Sequence, residues 1–247
     1  ENFDETARSA IKLPFPKGNL VVSDVTYQQG ENEKKILDSL SFSLSPGNVC
    51  AVLGESGAGK SSLARMLVGY TKPSKGTVRL DGVSVNTWDK KELCDHVGYL
   101  PQDLQLFGGS IIENITRYQS VNEEELEKVC KDFDLEDIYA DFQNGIEKML
   151  SDDLFDIPGG KKQRIALARC FYRSPNFIVL DEPTSSLDAT FENKFLSIIR
   201  RHKERGALLI INTHNQRILT MADFILALKD GRQKLFDSKE NIKKKMN

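Results

Sequence analysis

The sequence predicts an α/β fold with a largely parallel sheet covered by helices on both faces. Two observations predict it. Short β-rich apolar segments of four to six residues recur along the chain and alternate with helical patterns. Such runs are what strands buried on both faces look like. One of them, VCAVL, also leads directly into a glycine-rich turn and a helical run, the strand–loop–helix order of a phosphate-binding unit. At 247 residues the chain is long enough to bury a substantial core without disulfide or metal staples.

Residues 1–19 carry two prolines in LPFP and little periodicity, so they read as a linker. The candidate strands are Leu20–Val25, Val49–Leu53, Thr77–Leu80, Val97–Leu100, Phe177–Leu180, Ala207–Ile211 and Phe224–Leu228. The stretch 103–157 differs: it is helical, acidic and lacks a convincing strand. In its NEEELEKVCKDFDLEDI run, Leu126, Val129, Cys130 and Phe133 recur at helical spacing. It reads as a helical insert between two halves of the α/β core. The tail, residues 239–247, reads as a basic, frayed end.

Composition narrows the function classes. Lys plus Arg number 34 and Asp plus Glu 36, for a net charge of −2, which argues against a sequence-independent grip on nucleic acid. Hydrophobic residues make up 39% and charged residues 28%, the balance of an ordinary globular protein. The longest apolar runs, such as Phe224–Leu228, fall far short of the roughly 20 residues that cross a bilayer. No signal peptide precedes them, because the first residues are polar and mixed in charge. The chain starts at Glu1, as expected of a piece of a longer protein. Cys50, Cys94, Cys130 and Cys170 form no CxxC pair and read as free thiols.

GESGAGKS at 54–61 fits the phosphate-loop pattern GxxxxGK[ST]. Gly54, Gly57 and Gly59 let the backbone curl so that successive N–H groups, through Glu55, Ser56 and Ala58, point inward at phosphate oxygens. Lys60 supplies a point charge for the β- and γ-phosphates, and Ser61 a hydroxyl for Mg²⁺. The helix starting there, with Ser62, adds its positive end. In FIVLDEP (177–183), Asp181 ends a buried strand where a carboxylate can hold Mg²⁺ through water. Glu182, one step on, can polarise the attacking water as a general base.

Four further segments identify a family. PGGKKQRIALAR (158–169) lies just before FIVLDEP, at the distance of a signature helix. SSLD (185–188) is similar to the D-loop that follows, bringing in Ser186 and Asp188. His214, in NTHN after an apolar strand, is similar to the switch histidine, and Gln102 in YLPQD to the Q-loop glutamine. The chain resembles the nucleotide-binding domain of an ABC transporter over residues 20–238. The resemblance implies a RecA-like core (20–102 and 171–238), an N-terminal antiparallel β-portion, and an inserted helical subdomain (103–170) carrying the signature helix. It implies ATP and Mg²⁺ as ligands, Gln102 beside Ser61 and Asp181 at the metal, and Glu182 and His214 in catalysis.

A finer resemblance is carried by LPFPKGNLVV, LARMLVGYTKPSKGTVRLDG, Trp88 and HVGYLPQDLQLFGGSIIENI. These look like the type I protein-secretion exporters of the protease/lipase branch. That likeness implies a transmembrane domain in the same chain and a place at the cytoplasmic face of the inner membrane. It further implies a second cassette as homodimer or heterodimer, a periplasmic adaptor and an outer-membrane channel. The apolar segment 104–118 then either receives the membrane part or packs the insert.

The sequence departs from the family in places. Where signatures read LSGGQ, this chain has Ile157, Pro158, Gly159, Gly160 and Lys161, so the serine hydroxyl expected at the partner's γ-phosphate is missing. One charge-assisted hydrogen bond is worth about 1.5–3 kcal/mol, and Lys161 is placed to offset part of it. KMLSDDLF (148–155) lacks the glycine and glutamate usual before the signature. By the family spacing the residue under adenine falls at Gln29. Tyr27 lies two residues earlier, and strand alternation puts both on the same face, so either residue is a candidate to lie beneath the base. Three functions remain open: a transport ATPase, a soluble non-transport ABC protein, and a weakly hydrolysing regulatory subunit.

Overall fold

Alternate residues of the central strands face two different cores. The computed structural model describes residues 16–30, 34–89, 93, 95–145, 149–150 and 157–246. The first part of the chain forms β1 (Leu20–Tyr27), β2 (Leu37–Leu44), β3 (Val49–Leu53), α1 (Lys60–Leu67), β4 (Lys75–Leu80), β5 (Val83–Ser84) and β6 (Val97–Leu100). The middle part forms β7 (Gly109–Ser110), α2 (Ile111–Thr116), α3 (Glu123–Asp132), α4 (Glu136–Gln143) and β8 (Met149–Leu150). There follow α5 (Gly159–Phe171), β9 (Phe177–Asp181), α6 (Ala189–Glu204), β10 (Leu208–Asn212), α7 (Gln216–Met221), β11 (Phe224–Lys229), β12 (Arg232–Ser238) and α8 (Lys239–Met246).

Ten strands make one sheet in the order β5-β4-β1-β2-β12-β11-β3-β10-β9-β6. From β11 to β6 all neighbours are parallel. Val49, Ala51, Ile178, Leu180, Leu209 and Ile211 enter one core, shared with α5, α6 and the helical insert. Cys50, Val52, Phe177, Val179, Leu208 and Ile210 enter the other, shared with α1 and the N-terminal strands. Every one of these residues is apolar because both faces are covered. Beyond β11 the pairs are antiparallel except for β12 and β2, which meet in parallel at Arg232 and Asp38 alone. The expectation of a largely parallel sheet therefore holds for the centre alone. β2 and β12 escape the apolar-run criterion because polar residues interrupt them, as in LDSLSFSL and RQKLFDS.

The acidic helical run is two helices rather than one. The chain breaks after α3, where Asp134 takes a left-handed φ of 51°. Leu126, Val129, Cys130 and Phe133 are nevertheless all buried, as their spacing predicts. In α2, Ser110 and Glu113 form a reciprocal capping box that seats Ile111, Ile112 and Ile115 in the core. Most of 104–118 is therefore packing, while Phe107 and Tyr118 stay 54% and 53% exposed. Two arginines tie this segment to α5 through backbone carbonyls. Arg169 donates to the carbonyls of Gln105 and Asn114, and Arg117 to those of Arg169 and Val97.

The C-terminal residues are ordered into α8 rather than frayed, resting on the sheet through the backbone bond from Lys239 to Asp223. At the other end, the N–H groups of Lys17, Gly18 and Asn19 all donate to the Asp81 carboxylate. Cys50, Cys130 and Cys170 are buried and unbridged, and burial pushes each thiol up to about 12. Cys94 and most of the segment KMLSDDLF lie outside the described residues.

Candidate functional site

The loop between β3 and α1 is shaped by contacts that glycine alone permits. A Cβ on Gly59, whose φ is 98°, would stand 2.6 Å from Leu37 Cδ2 and 3.0 Å from the Ile36 carbonyl. A Cβ on Gly54 would come within 2.7 Å of the Leu228 carbonyl. The loop thus curls tightly against β2 and β11 and leaves an open cleft of about 340 Å³ in front of it. Lys60 Nζ donates to the carbonyls of Gly54 and Glu55 at 2.6 and 3.1 Å, spanning the loop.

The cleft brings together Ser56, Gly57, Gly59, Lys60, Ser61, Ser62, Gln102, Asp181, Glu182 and His214. Gly54 and Glu55 shape it through their carbonyls, and Ala58 is buried behind it. Ile36 also lines it, a residue that motif reading has no means to find. Ser61 Oγ lies 3.5 Å from Gln102 Oε1. Asp181 is buried, its Oδ1 accepting from Asn212 Nδ2 at 2.9 Å, while its Oδ2 has no hydrogen-bond partner among the described residues. A buried, unpaired carboxylate oxygen beside a hydroxyl and an amide oxygen suits a hard, oxygen-seeking cation such as Mg²⁺. Asn212 went unremarked in sequence. Its signal is the single polar residue closing the apolar strand LLIIN.

Glu182 takes a left-handed φ of 50° at the end of β9. Its N–H donates to the Asn212 carbonyl at 3.0 Å. Burial raises its carboxyl above the ordinary value, while His214 and Lys60 act in the opposite sense. His214 Nε2 stands 3.6 Å from Glu182 Oε1 at the exposed rim of the cleft. A half-buried carboxylate, an imidazole and a lysine around one opening can bind a polyphosphate and move a proton beside it.

The remaining predicted residues lie elsewhere. Pro158 is the N-cap of α5, with Gly159, Gly160 and Lys161 in its first turn, away from the cleft of the same chain. Lys161 Nζ bonds Asp137 of α4 at 2.6 Å. Asp188 caps α6 through the Phe191 N–H and also accepts from Arg164 at 2.9 Å, and Ser186 is exposed in the loop before it. Neither Tyr27 nor Gln29 lines the cleft. β1 ends at Tyr27, which packs on the second core, so strand alternation does not carry over to Gln29.

Residues 37–185, more than half of the chain, match the profile of the ABC transporter family. The type I secretion system ATP-binding protein PrsD of Rhizobium meliloti is 34% identical over 237 residues, covering 96% of this chain and 41% of that protein. The Lactococcin-A transport/processing ATP-binding protein LcnC of Lactococcus lactis is 33% identical, covering 92% of this chain and 32% of its own length. The ABC transporter ATM1 of Toxoplasma gondii is 32% identical, covering 90% and 20%. A solved bacterial Atm1-family ABC exporter with ATP bound superposes with a TM-score of 0.83 at 28% identity, covering 95% of this chain and 41% of that one. This chain thus spans at most about two fifths of the length of these relatives. Its fold, its phosphate loop and its match over residues 37–185 agree: the chain belongs to the ABC transporter family and is an ABC ATPase domain.

Proposed function

We propose that this domain binds Mg²⁺-ATP and hydrolyses it to power an exporter, with type I secretion of a polypeptide as the transport reaction. The convergence of Lys60, Ser61, Gln102, Asp181, Glu182 and His214 on one cleft carries the catalytic part of this reading. Two relatives named for type I secretion and for lactococcin transport support the cargo class.

In this reading the loop N–H groups and Lys60 hold the β- and γ-phosphates, where the start of α1 adds its positive end. Ser61, Gln102 and Asp181 would hold Mg²⁺, which when bound supplies neutralisation of phosphate charge. Glu182 accepts the proton of the attacking water, and His214, above it, steadies the water and the terminal phosphate. The start of α5, at Pro158–Lys161, faces the nucleotide of a second cassette, with Ser186 and Asp188 beside it. Either Tyr27 or Gln29 serves the adenine from beyond the cleft. Residues 20–102 and 171–238 act as the catalytic core, 103–170 as the helical subdomain, and 1–19 as the approach from a transmembrane domain. Exposed Phe107 and Tyr118 are offered to that membrane part. The domain then sits at the cytoplasmic face of the inner membrane, with an adaptor and an outer channel completing the route.

The test has two parts. Purified full-length protein should hydrolyse ATP, and Lys60→Ala should abolish that activity. Deleting the gene should remove a polypeptide from the culture medium, restored by the wild type and not by Lys60→Ala. An unchanged medium beside a working ATPase would leave the exporter with another cargo. A second reading, a weakly hydrolysing subunit of a heterodimer, is favoured by the proline at position 158 and the engagement of Lys161 by Asp137. An ATPase rate near zero in the full chain alone, raised by a partner chain, would select it.

A further inference from the structure

Two consecutive side chains of α5 bracket the loop that follows β9. Gln163 Nε2 donates to the Pro183 carbonyl at 2.9 Å, and Arg164 Nη2 donates to Asp188 Oδ2 at 2.9 Å. Gln163 is only 2% exposed, and Pro183 is buried as well. A proline has no backbone N–H, so its carbonyl is its sole backbone hydrogen-bonding group, and burial makes that bond costly to lose. The residue held immediately before it is Glu182, with its φ of 50°. A side-chain-bearing residue in the left-handed region persists only where its surroundings hold it there. Those surroundings are now identified: the Asn212 carbonyl on one side, through the Glu182 N–H, and Gln163 on the other, through Pro183.

We infer that Gln163 is a positioning residue for Glu182, aiming its carboxylate by gripping the next carbonyl along the chain. The inference rests on the proposed role of Glu182 as the base. It also gives α5 a second task. Its first turn carries Pro158–Lys161, and Gln163 begins the next, so a displacement of that helix end is transmitted to Glu182 through one buried amide. Arg164 steers the far end of the same loop, and with it the N-cap of α6. Gln163 touches no reacting group, and its effect is confined to the aim of one that does.

The experiment compares single-turnover ATP hydrolysis and ATP affinity in the full chain for wild type, Gln163→Met, Glu182→Gln and the double variant. Methionine keeps the length and loses the donor. Gln163→Met should lower the hydrolysis rate about tenfold with ATP affinity held within about twofold. In the Glu182→Gln background the same change should cost less than twofold, since a misaimed amide loses nothing further. Wild-type hydrolysis in Gln163→Met beside a silent Glu182→Gln overturns the inference alone. An equal tenfold loss in both backgrounds, or a parallel loss of ATP affinity, makes Gln163 merely structural and also overturns it. Wild-type hydrolysis in Glu182→Gln brings down the reading of Glu182 and the inference with it. Should Gln163→Met fail to fold, Gln163→Asn, which keeps the amide on a shorter stem, is read by the same comparison.

Discussion

Nε2 of His214 stands 3.6 Å from Oε1 of Glu182, an imidazole at the rim facing a half-buried carboxylate behind it. The pair sets how the proposed base titrates. Burial is the largest influence on Glu182 and raises it above the ordinary 4.5, while His214 is the first of the groups holding it down. A base works deprotonated, so the acid limb of the kcat–pH profile should lie above pH 4.5. His214→Ala removes that restraint. The acid limb should then move to higher pH as the rate falls. A limb that stays in place or moves to lower pH would show that His214 does not act on Glu182.

Lys60→Ala should cost ATP affinity at least tenfold. The lysine spans the loop by bonding the Gly54 and Glu55 carbonyls, which aims its charge across the cleft. Calorimetry of ATP binding reads this directly. Affinity within twofold of wild type would mean that the loop N–H groups suffice without it.

Asp181→Asn should raise the Mg²⁺ concentration needed for half-maximal hydrolysis by tenfold or more. Oδ1 is already held by Asn212, and the buried Oδ2 has no partner among the described residues. The amide leaves at that position no full negative charge for a cation. A Mg²⁺ titration of steady-state hydrolysis decides it. An unshifted titration would place the metal on other oxygens.

His202 makes stability pH-dependent. It is 2% exposed, lies edge-on to Phe171 with ring centroids 4.9 Å apart, and its Nδ1 has no hydrogen-bond partner among the described residues. Burial first, then Arg205, Arg201 and Lys128, push it down to about 3. The unfolded chain takes up this proton below the ordinary 6.5, and the folded chain does not until about 3. Stability is therefore retained above pH 6.5 and lost as pH falls below it, at up to about 1.4 kcal/mol per pH unit from this group. Urea midpoints between pH 7 and 5 should show that slope, and His202→Phe should flatten it. Equal slopes in both proteins would assign the acid sensitivity to other groups.

The parts legible in sequence are those whose chemistry demands particular residues in consecutive order. Close contacts require glycine at Gly54 and Gly59 and a left-handed φ of 79° favours it at Gly57, and FIVLDEP had to be apolar up to Asp181 because both sheet faces are covered there. What stayed hidden depends on partners far apart in the chain. Polar side chains interrupt β2 and β12, so no apolar run marks them. Asn212, Gln163 and Ile36 gain their roles only when β10, α5 and the start of β2 come against the cleft. Tyr27 and Gln29 are not tied to one face, because alternation holds only inside a strand and β1 stops at Tyr27.

Pro158→Ser tests whether the altered signature limits turnover. Pro158 caps α5 with φ −53° and ψ 141° and no side-chain hydrogen bond, while its carbonyl accepts from the N–H groups of Lys161 and Lys162. Serine at an N-cap would supply a hydroxyl acceptor for the first turn, worth about 1 kcal/mol, so the melting temperature should rise. The same hydroxyl is the group expected at a second cassette's terminal phosphate, where a charge-assisted bond would count. Lys161 is the compensating candidate, yet its ammonium already sits on Asp137 at 2.6 Å. That pair is 35% and 53% exposed, and exposed pairs hold weakly, so a phosphate of higher charge would draw the lysine away. Wild-type activity should accordingly be low but measurable, and Pro158→Ser should raise ATPase turnover several-fold together with the melting temperature. A higher melting temperature with unchanged turnover would assign the serine to helix capping alone, leaving Lys161 and the backbone of Gly159 and Gly160 sufficient at the phosphate.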